Sequence, residues 1–169
     1  LTNALDTPTL RGADRLLYLR GASVNEGAGL GFRVRTCYNP ATVASNTPSG
    51  IACPADVGKL GDIIDSGPVF VGKPDFAYPD TLESAPYSAF VTAQTGRQKM
   101  VYVGANDGML HGFRDSASDG RELMAYVPNL VYANIDQKNL SLLTSSSYKH
   151  RFYVNATPTV GDVFISGAG

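Results

Sequence analysis

Val101-Tyr-Val-Gly-Ala-Asn-Asp-Gly-Met-Leu-His-Gly-Phe113 is the stretch that most limits what this chain can become. Apolar residues alternate with small or polar ones, the chain turns on Asn106-Asp107-Gly108, and the pattern resumes with Met109, Leu110 and Phe113. Two β-runs joined by a short Asn/Asp/Gly turn are the strongest local hairpin signal, because these residues tolerate the backbone geometry of a tight turn. A third run, Glu122-Leu-Met-Ala-Tyr-Val127, follows a turn at Ser118-Asp119-Gly120, and a fourth strand lies upstream, ending near Gly72. The expected product is a four-stranded meander, the unit of a β-propeller blade. In such a scaffold any chemistry belongs to loops and to the central axis, not to the repeats.

The 169 residues suffice for one compact domain. Hydrophobic residues make up 43% and charged residues 17%, so a core is affordable, and 18 Gly with 10 Pro suit short strands and turns better than long helices. A formal net charge of -1 gives no global field for nucleic acid or an anionic membrane. Arg11, Arg15, Arg20, Arg33 and Arg35 lie close together, but Asp6, Asp14 and Glu26 are interspersed, so solvated or ion-paired arginines are expected. No apolar run reaches the length of about 18 residues that a membrane-spanning helix needs. The start at Leu1, without Met or a signal pattern, reads as that of an excised piece, and Val160–Ile165 reads as a strand that has just begun.

Cys37 and Cys53 flank a segment rich in Asn, Thr, Ser and Pro. Their spacing fits no four-ligand metal site. A disulfide closing this loop is the expectation, contributing on the order of 3 kcal/mol by restricting the unfolded chain and implying an oxidising compartment. Two reduced cysteines are the alternative.

The chain divides on this reading into a leading segment, 1–60, with a short helix over Ala13–Arg20 and the cysteine loop, and a partial propeller, 61–169. Gly27-Ala-Gly-Leu-Gly-Phe32 lacks both the spacing and the preceding strand of a nucleotide-binding loop. Residues 73–90, with Pro74, Pro79 and Pro86, form an excursion between strands, extending to 97 as an insertion. A helical insertion is expected from Pro128 to about 143, and Arg151–Val154 and Val160–Ile165 are expected as further strands. Ser66-Gly-Pro-Val-Phe-Val-Gly72 is echoed by Ala156-Thr-Pro-Thr-Val-Gly161, which reads as the innermost strands of two successive blades. The fold class is therefore mainly β: one complete four-stranded blade, a short helical insertion and the start of the next blade.

Four blocks carry a family resemblance: Gly61–Gly72, Val101–Phe113, Glu122–Asn129 and His150–Asp162. Together, and with Tyr18-Leu-Arg-Gly21 ahead of them, they resemble the C-terminal propeller of the type IV pilus tip adhesins, the PilY and neisserial PilC family. The resemblance covers about residues 14–165. It implies a modified seven-bladed propeller, passage through the periplasm to the cell surface, and roles in pilus assembly, retraction and surface adhesion. The implied partners are the rest of the propeller, minor pilins at the pilus tip, and a host or abiotic surface, with no nucleic acid. It also implies a calcium loop, of which this chain holds no complete copy. Asp115 and Asp119 occupy the first and fifth positions of a loop whose third position is Ala117 and whose twelfth is Tyr126, so a plain turn is expected, with calcium elsewhere in the intact protein.

The enzymatic rival is a quinoprotein (PQQ-type) dehydrogenase, whose blades read similarly. Those repeats end in a tryptophan docking motif, whereas this chain has no Trp and places Met124-Ala-Tyr126 there. No G-x-S-x-G elbow is present. His111 in a strand and His150 before one have no acidic or thiol partner at an informative spacing, and both are read as structural. No catalytic or cofactor-binding residue is assigned. Tyr38, Tyr78, Tyr87, Tyr132 and Tyr148 fall in loops or the helical insertion, where they either cover rims or present a binding surface.

Overall fold

The computed structural model describes residues 12–27, 31–37, 51–52, 60–131 and 140–165. They group into two compact units that do not follow a single cut in sequence. The first takes the chain up to Asp62, the Asn106–Gly108 turn and Val127–Tyr153; the second takes Ile63–Ala105, Met109–Tyr126 and the chain from Val154.

The second unit is built on an antiparallel sheet of β3 (Val69–Val71), β4 (Met100–Ala105), β5 (Met109–Arg114) and β6 (Glu122–Tyr126), in sequence order. This is the nearest-neighbour meander expected from the turns. β4 and β5 pair in full, from Met100↔Arg114 to Ala105↔Met109, around a three-residue turn whose last residue, Gly108, has φ 91°. A glycine supplies that left-handed conformation without steric cost. Apolar side chains of Met100, Val103, Ala105 and Met109 are buried, while all of β6 is exposed. Tyr102 stands opposite Gly112, and its ring occupies the space a side chain would fill there: a Cβ on Gly112 would lie 2.9 Å from Tyr102 Cε1. Covering a strand glycine with a cross-strand aromatic restores packing the glycine lacks.

The two echoed segments lie side by side in this unit. Gly67 N–H donates to Thr157 Oγ1 at 2.8 Å, and Asp65 N–H donates to Asn155 Oδ1 at 3.3 Å. These are side-chain bonds, not a ladder. Among the described residues, Arg151–Val154 and Val160–Ile165 form no strand, contrary to the sequence expectation. A strand exists only where a neighbour accepts its backbone bonds; the Arg151 and Tyr153 N–H groups go instead to the Tyr148 hydroxyl and Asn106 Oδ1. The 73–97 excursion holds an unanticipated helix, α2 (Tyr87–Ala93), after Pro86. Its cap is remote: Asp80 accepts from the Ser88 N–H and the Ser88 hydroxyl, both at 2.7 Å. These bonds hold the Asp80 carboxyl below its ordinary range, the backbone N–H contributing most.

In the first unit, α1 (Gly12–Leu19) is the expected short helix. Gly21, at φ 98°, ends it: its N–H bonds to the Tyr18 carbonyl and the Ala22 N–H to the Leu17 carbonyl, the paired bonds of a Schellman stop. Leu16 and Leu19 pack on Leu140 and Leu143 together with Val127, Val131, Tyr148 and Tyr153. Leu140 is 1% exposed, a burial that stabilises by roughly 1.5–3 kcal/mol. The helical pattern after Pro128 takes the form of two 3-10 turns, Asn129–Val131 and Leu140–Thr144; the segment between lies outside the described residues.

Arg35 organises the same unit. It donates to Glu26 Oε1 at 2.7 Å and to the Tyr18 and Ala22 carbonyls at 2.7 and 2.6 Å, and its guanidinium lies 3.7 Å from the Tyr18 ring centroid. Arg33 lies over Tyr148, and Arg15 donates to Thr144 Oγ1. Arg15, Arg33 and Arg35 are thus engaged within the unit, Arg35 in an ion pair with Glu26, whereas Arg20 is exposed and Arg11 lies outside the described residues. A two-residue ladder, β1 (Thr36–Cys37) with β2 (Ile51–Ala52), brings the ends of the intervening loop together. Cys53 lies outside the described residues, and so does the expected disulfide.

Candidate functional site

The Asn106-Asp107-Gly108 turn does more than reverse the chain. Asn106 is 2% exposed. Its N–H donates to the Asp62 carbonyl at 3.0 Å, its side-chain amide donates to Asp62 Oδ2 at 2.8 Å, and its Oδ1 accepts the Tyr153 N–H at 3.0 Å. Asp107 Oδ2 accepts the Gly61 N–H at 2.8 Å. The approach is close: a Cβ on Gly61 would lie 2.4 Å from the Asp107 nitrogen. His150 Nε2 lies 2.8 Å from Asp62 Oδ2. Burial pushes the Asp62 carboxyl up, but the bonds from Asn106 and His150 outweigh it and the net direction is down. Burial pushes the Tyr153 hydroxyl up to about 12, with Tyr148 adding to the effect. The buried Asn106 is engaged on both sides of its amide, tying the turn to Asp62 and Tyr153, with the exposed His150 joining at Asp62; the turn is a clasp.

His111 is 4% exposed, its Nδ1 lies 2.5 Å from Glu122 Oε1, and its ring stacks on Phe113 at 6.0 Å. Both histidines therefore face carboxylates that sequence spacing did not reveal. Asp119, one of the two metal candidates, is engaged by Arg114, whose Nε donates to Oδ1 at 2.8 Å. That bond holds the Asp119 carboxyl down and the Arg114 guanidinium up. Asp115 donates its backbone N–H to the Lys99 carbonyl at 2.9 Å. Among the described residues, no cluster of His, Cys, Asp and Glu has metal-ligand geometry.

A cleft of about 760 Å³ opens on the 73–97 excursion. Tyr78, Leu82, Phe90 and Phe164 give it apolar walls, and Glu83 and Asp162 are its charged lining residues. Tyr87 braces it: its hydroxyl donates to Asp162 Oδ2 at 2.6 Å and accepts the Phe76 N–H at 3.2 Å. Burial, then the bond to Asp162, pushes the Tyr87 hydroxyl pKa up. Phe76 stacks on Tyr78 at 5.7 Å, and Tyr78 meets Tyr87 edge-on at 5.1 Å. The sequence marks 73–97 as an insertion and places Tyr78 and Tyr87 in loops, where they cover rims or present a binding surface. It misses Asp162, Val163 and Phe164, which complete the cleft from a segment read as a strand. The one signal that could have found them is the echo of 66–72 at 156–161.

A family model described as the PilY1 beta-propeller domain matches residues 60–168. The type IV pilus biogenesis factor PilY1 of Pseudomonas aeruginosa strain PAK is 37% identical over 96% of this chain and 12% of its own length. Its counterpart in strain PAO1 shows the same identity and coverage. A type IV pilus biogenesis factor PilY1 homolog of Xylella fastidiosa strain Temecula1 is 35% identical over 93% of this chain and 11% of its own. The chain thus spans about one eighth of the length of the curated relatives it matches. No solved structure matches it. Among the described residues, no helix is long and apolar enough to cross a membrane. The ordered meander, the echoed segment beside it and the match across residues 60–168 agree: this chain belongs to the PilY1 beta-propeller domain family.

Proposed function

We propose that this chain is a non-catalytic part of a type IV pilus tip adhesin, serving pilus assembly, retraction and surface adhesion through loops carried on a propeller scaffold. The observation that carries the proposal is the rigid four-stranded sheet presenting an aromatic cleft on a loop excursion. Binding functions are commonly carried by loops set on a rigid scaffold. The names of the relatives, all pilus biogenesis factors, supply the pilus context. The burial of His111, 4% exposed, supports a structural rather than catalytic use of that residue. The place of a quinoprotein docking tryptophan is held by Met124-Ala-Tyr126 on the exposed strand β6.

The proposal includes a Cys37–Cys53 disulfide formed in the periplasm, display at the cell surface, contact with minor pilins and with a host or abiotic surface, and calcium bound elsewhere in the intact protein. Replacing residues 75–95 by a short Gly/Ser linker in the full-length protein tests it. Surface display of the protein should persist while attachment to surfaces falls. Unchanged attachment, piliation and twitching would overturn the assignment of this surface. Intact mass with and without reductant and alkylation reports on the disulfide.

A further inference from the structure

We propose that the cleft on the 73–97 excursion docks a peptide segment of a partner protein in which an apolar anchor side chain sits beside a lysine or arginine. The inference deepens the adhesion and assembly reading and takes its biological setting from it. Three observations fix the chemistry of the occupant. The first is size and wall composition: about 760 Å³, walled by Tyr78, Leu82, Phe90 and Phe164, is room for a few side chains in apolar surroundings. The second is charge. The residues lining the cleft include Glu83 and, from a distant segment, Asp162, and no Lys or Arg.

The third is the state of the carboxylates that line the cleft. Asp162 is held in place by the Tyr87 hydroxyl on Oδ2, leaving Oδ1 for an incoming donor. Glu83 has no hydrogen-bond or ion-pair partner among the described residues, whereas Asp80 is consumed by Ser88. Carboxylates beside aromatic faces, one of them held by Tyr87, favour a cation twice, through charge and through the ring quadrupole. They repel an anionic lipid surface or an acidic peptide. A neutral sugar gains only the stacking and leaves the carboxylates without a charge partner. A peptide with one apolar and one basic side chain uses every wall of the cleft.

The test is fluorescence anisotropy of the intact chain with labelled decapeptides. One combines leucine, phenylalanine and lysine; a second has glutamate for lysine; a third has serine for the apolar residues; a neutral glucan oligosaccharide serves as competitor. The first should bind saturably, more tightly at low salt, and the other two at least about tenfold more weakly. Glu83→Gln should weaken binding about fivefold and Glu83→Lys about tenfold or more, with Leu82→Ser also weakening it. Asp115→Asn removes the same charge outside the cleft lining and should leave binding unchanged. Equal binding of the glutamate peptide, an equal loss in D115N, or displacement by the glucan would overturn the proposal. Circular dichroism checks each variant, and should Glu83→Lys not fold, the Gln variant and the salt dependence decide. Peptide binding by this chain without any effect of the 75–95 replacement on attachment would refute the adhesion reading and leave the cleft's chemistry standing.

Discussion

Asn106→Ala is the most direct test of whether the hairpin turn is a clasp or only a reversal. The substitution removes two side-chain bonds, the donation to Asp62 Oδ2 and the acceptance from the Tyr153 N–H. Each is worth about 1 kcal/mol net, and stranding the Tyr153 N–H adds about 1 kcal/mol or more, so the loss is about 3 kcal/mol. For a chain of this size that lowers the melting midpoint by roughly 6–12 °C. Thermal and urea unfolding of the intact chain, followed by far-UV circular dichroism, read it. Asn106→Asp separates the clasp from a generic cavity. It keeps the acceptor for Tyr153 but sets a second carboxylate where the amide stood 2.8 Å from Asp62 Oδ2. At pH 7 it should be worse than alanine, and it should recover as the pH falls toward the carboxylate range and one of the pair takes a proton. The Asp62 carboxyl is held below its ordinary value of 3.8 in the folded chain, so its contribution is full above that value and fades as the pH falls through the lower folded value. Asn106→Ala should flatten that acid limb. An Ala variant within about 0.5 kcal/mol of the parent, or an Asp variant as stable as the parent at pH 7, would refute the clasp.

Other substitutions probe the same physics elsewhere. Arg35→Lys cannot reproduce a guanidinium that bonds Glu26 and two carbonyls while lying on Tyr18, and should cost about 2 kcal/mol in urea unfolding; a neutral result would show the network to be incidental. Gly104→Ala would place a Cβ 2.5 Å from the Val154 carbonyl oxygen and should cost about 2–3 kcal/mol, whereas Gly96→Ala, with open space around it, should change stability by less than about 0.5 kcal/mol. Similar melting curves for the two variants would contradict the close approach. The Tyr153 hydroxyl, raised from 10.0 to about 12, contributes stability that is full below pH 10 and lost as the pH rises toward 12. Tyr153→Phe should therefore shrink the alkaline loss of stability, and ultraviolet titration should show one fewer late-ionising phenol.

The features legible in the sequence are those decided within a few residues. The hairpin about Asn106–Gly108, the helix ending at Gly21 and the order of the meander follow from turn chemistry and alternation, and the structure has all three. Helix α2 was hidden because its cap comes from Asp80, outside the short window in which capping patterns are read, and because aromatic and β-branched residues fill Tyr87–Ala93. The cleft was half legible for the same reason. Its near wall belongs to one continuous segment, but Asp162 lies 75 residues beyond its partner Tyr87, and Phe164 follows it. No local rule pairs Tyr87 with Asp162.

The His111–Glu122 contact shows how one backbone irregularity defeats a spacing argument. In a regular antiparallel pair continuing from His111↔Ala125 and Gly112↔Met124, Phe113 would face Leu123, and Glu122 would face Arg114 on the opposite side of the sheet. A bulge between Gly112 and Phe113 instead sets Phe113 against Glu122 and leaves Leu123 outside the pairing. Phe113 and His111 lie two residues apart on one strand and so share a face. The slip therefore carries the Glu122 side chain onto the histidine face, where it reaches Nδ1. The extra residue also exposes Leu123 at 50%. Bulges of this kind re-aim side chains at the cost of one ladder position. Deleting Leu123 should remove the bulge while leaving Glu122 opposite Phe113 in a regular ladder, so the His111–Glu122 contact should survive. Loss of the NMR cross-peaks between the His111 ring and the Glu122 side chain in the deletion variant would refute this register argument.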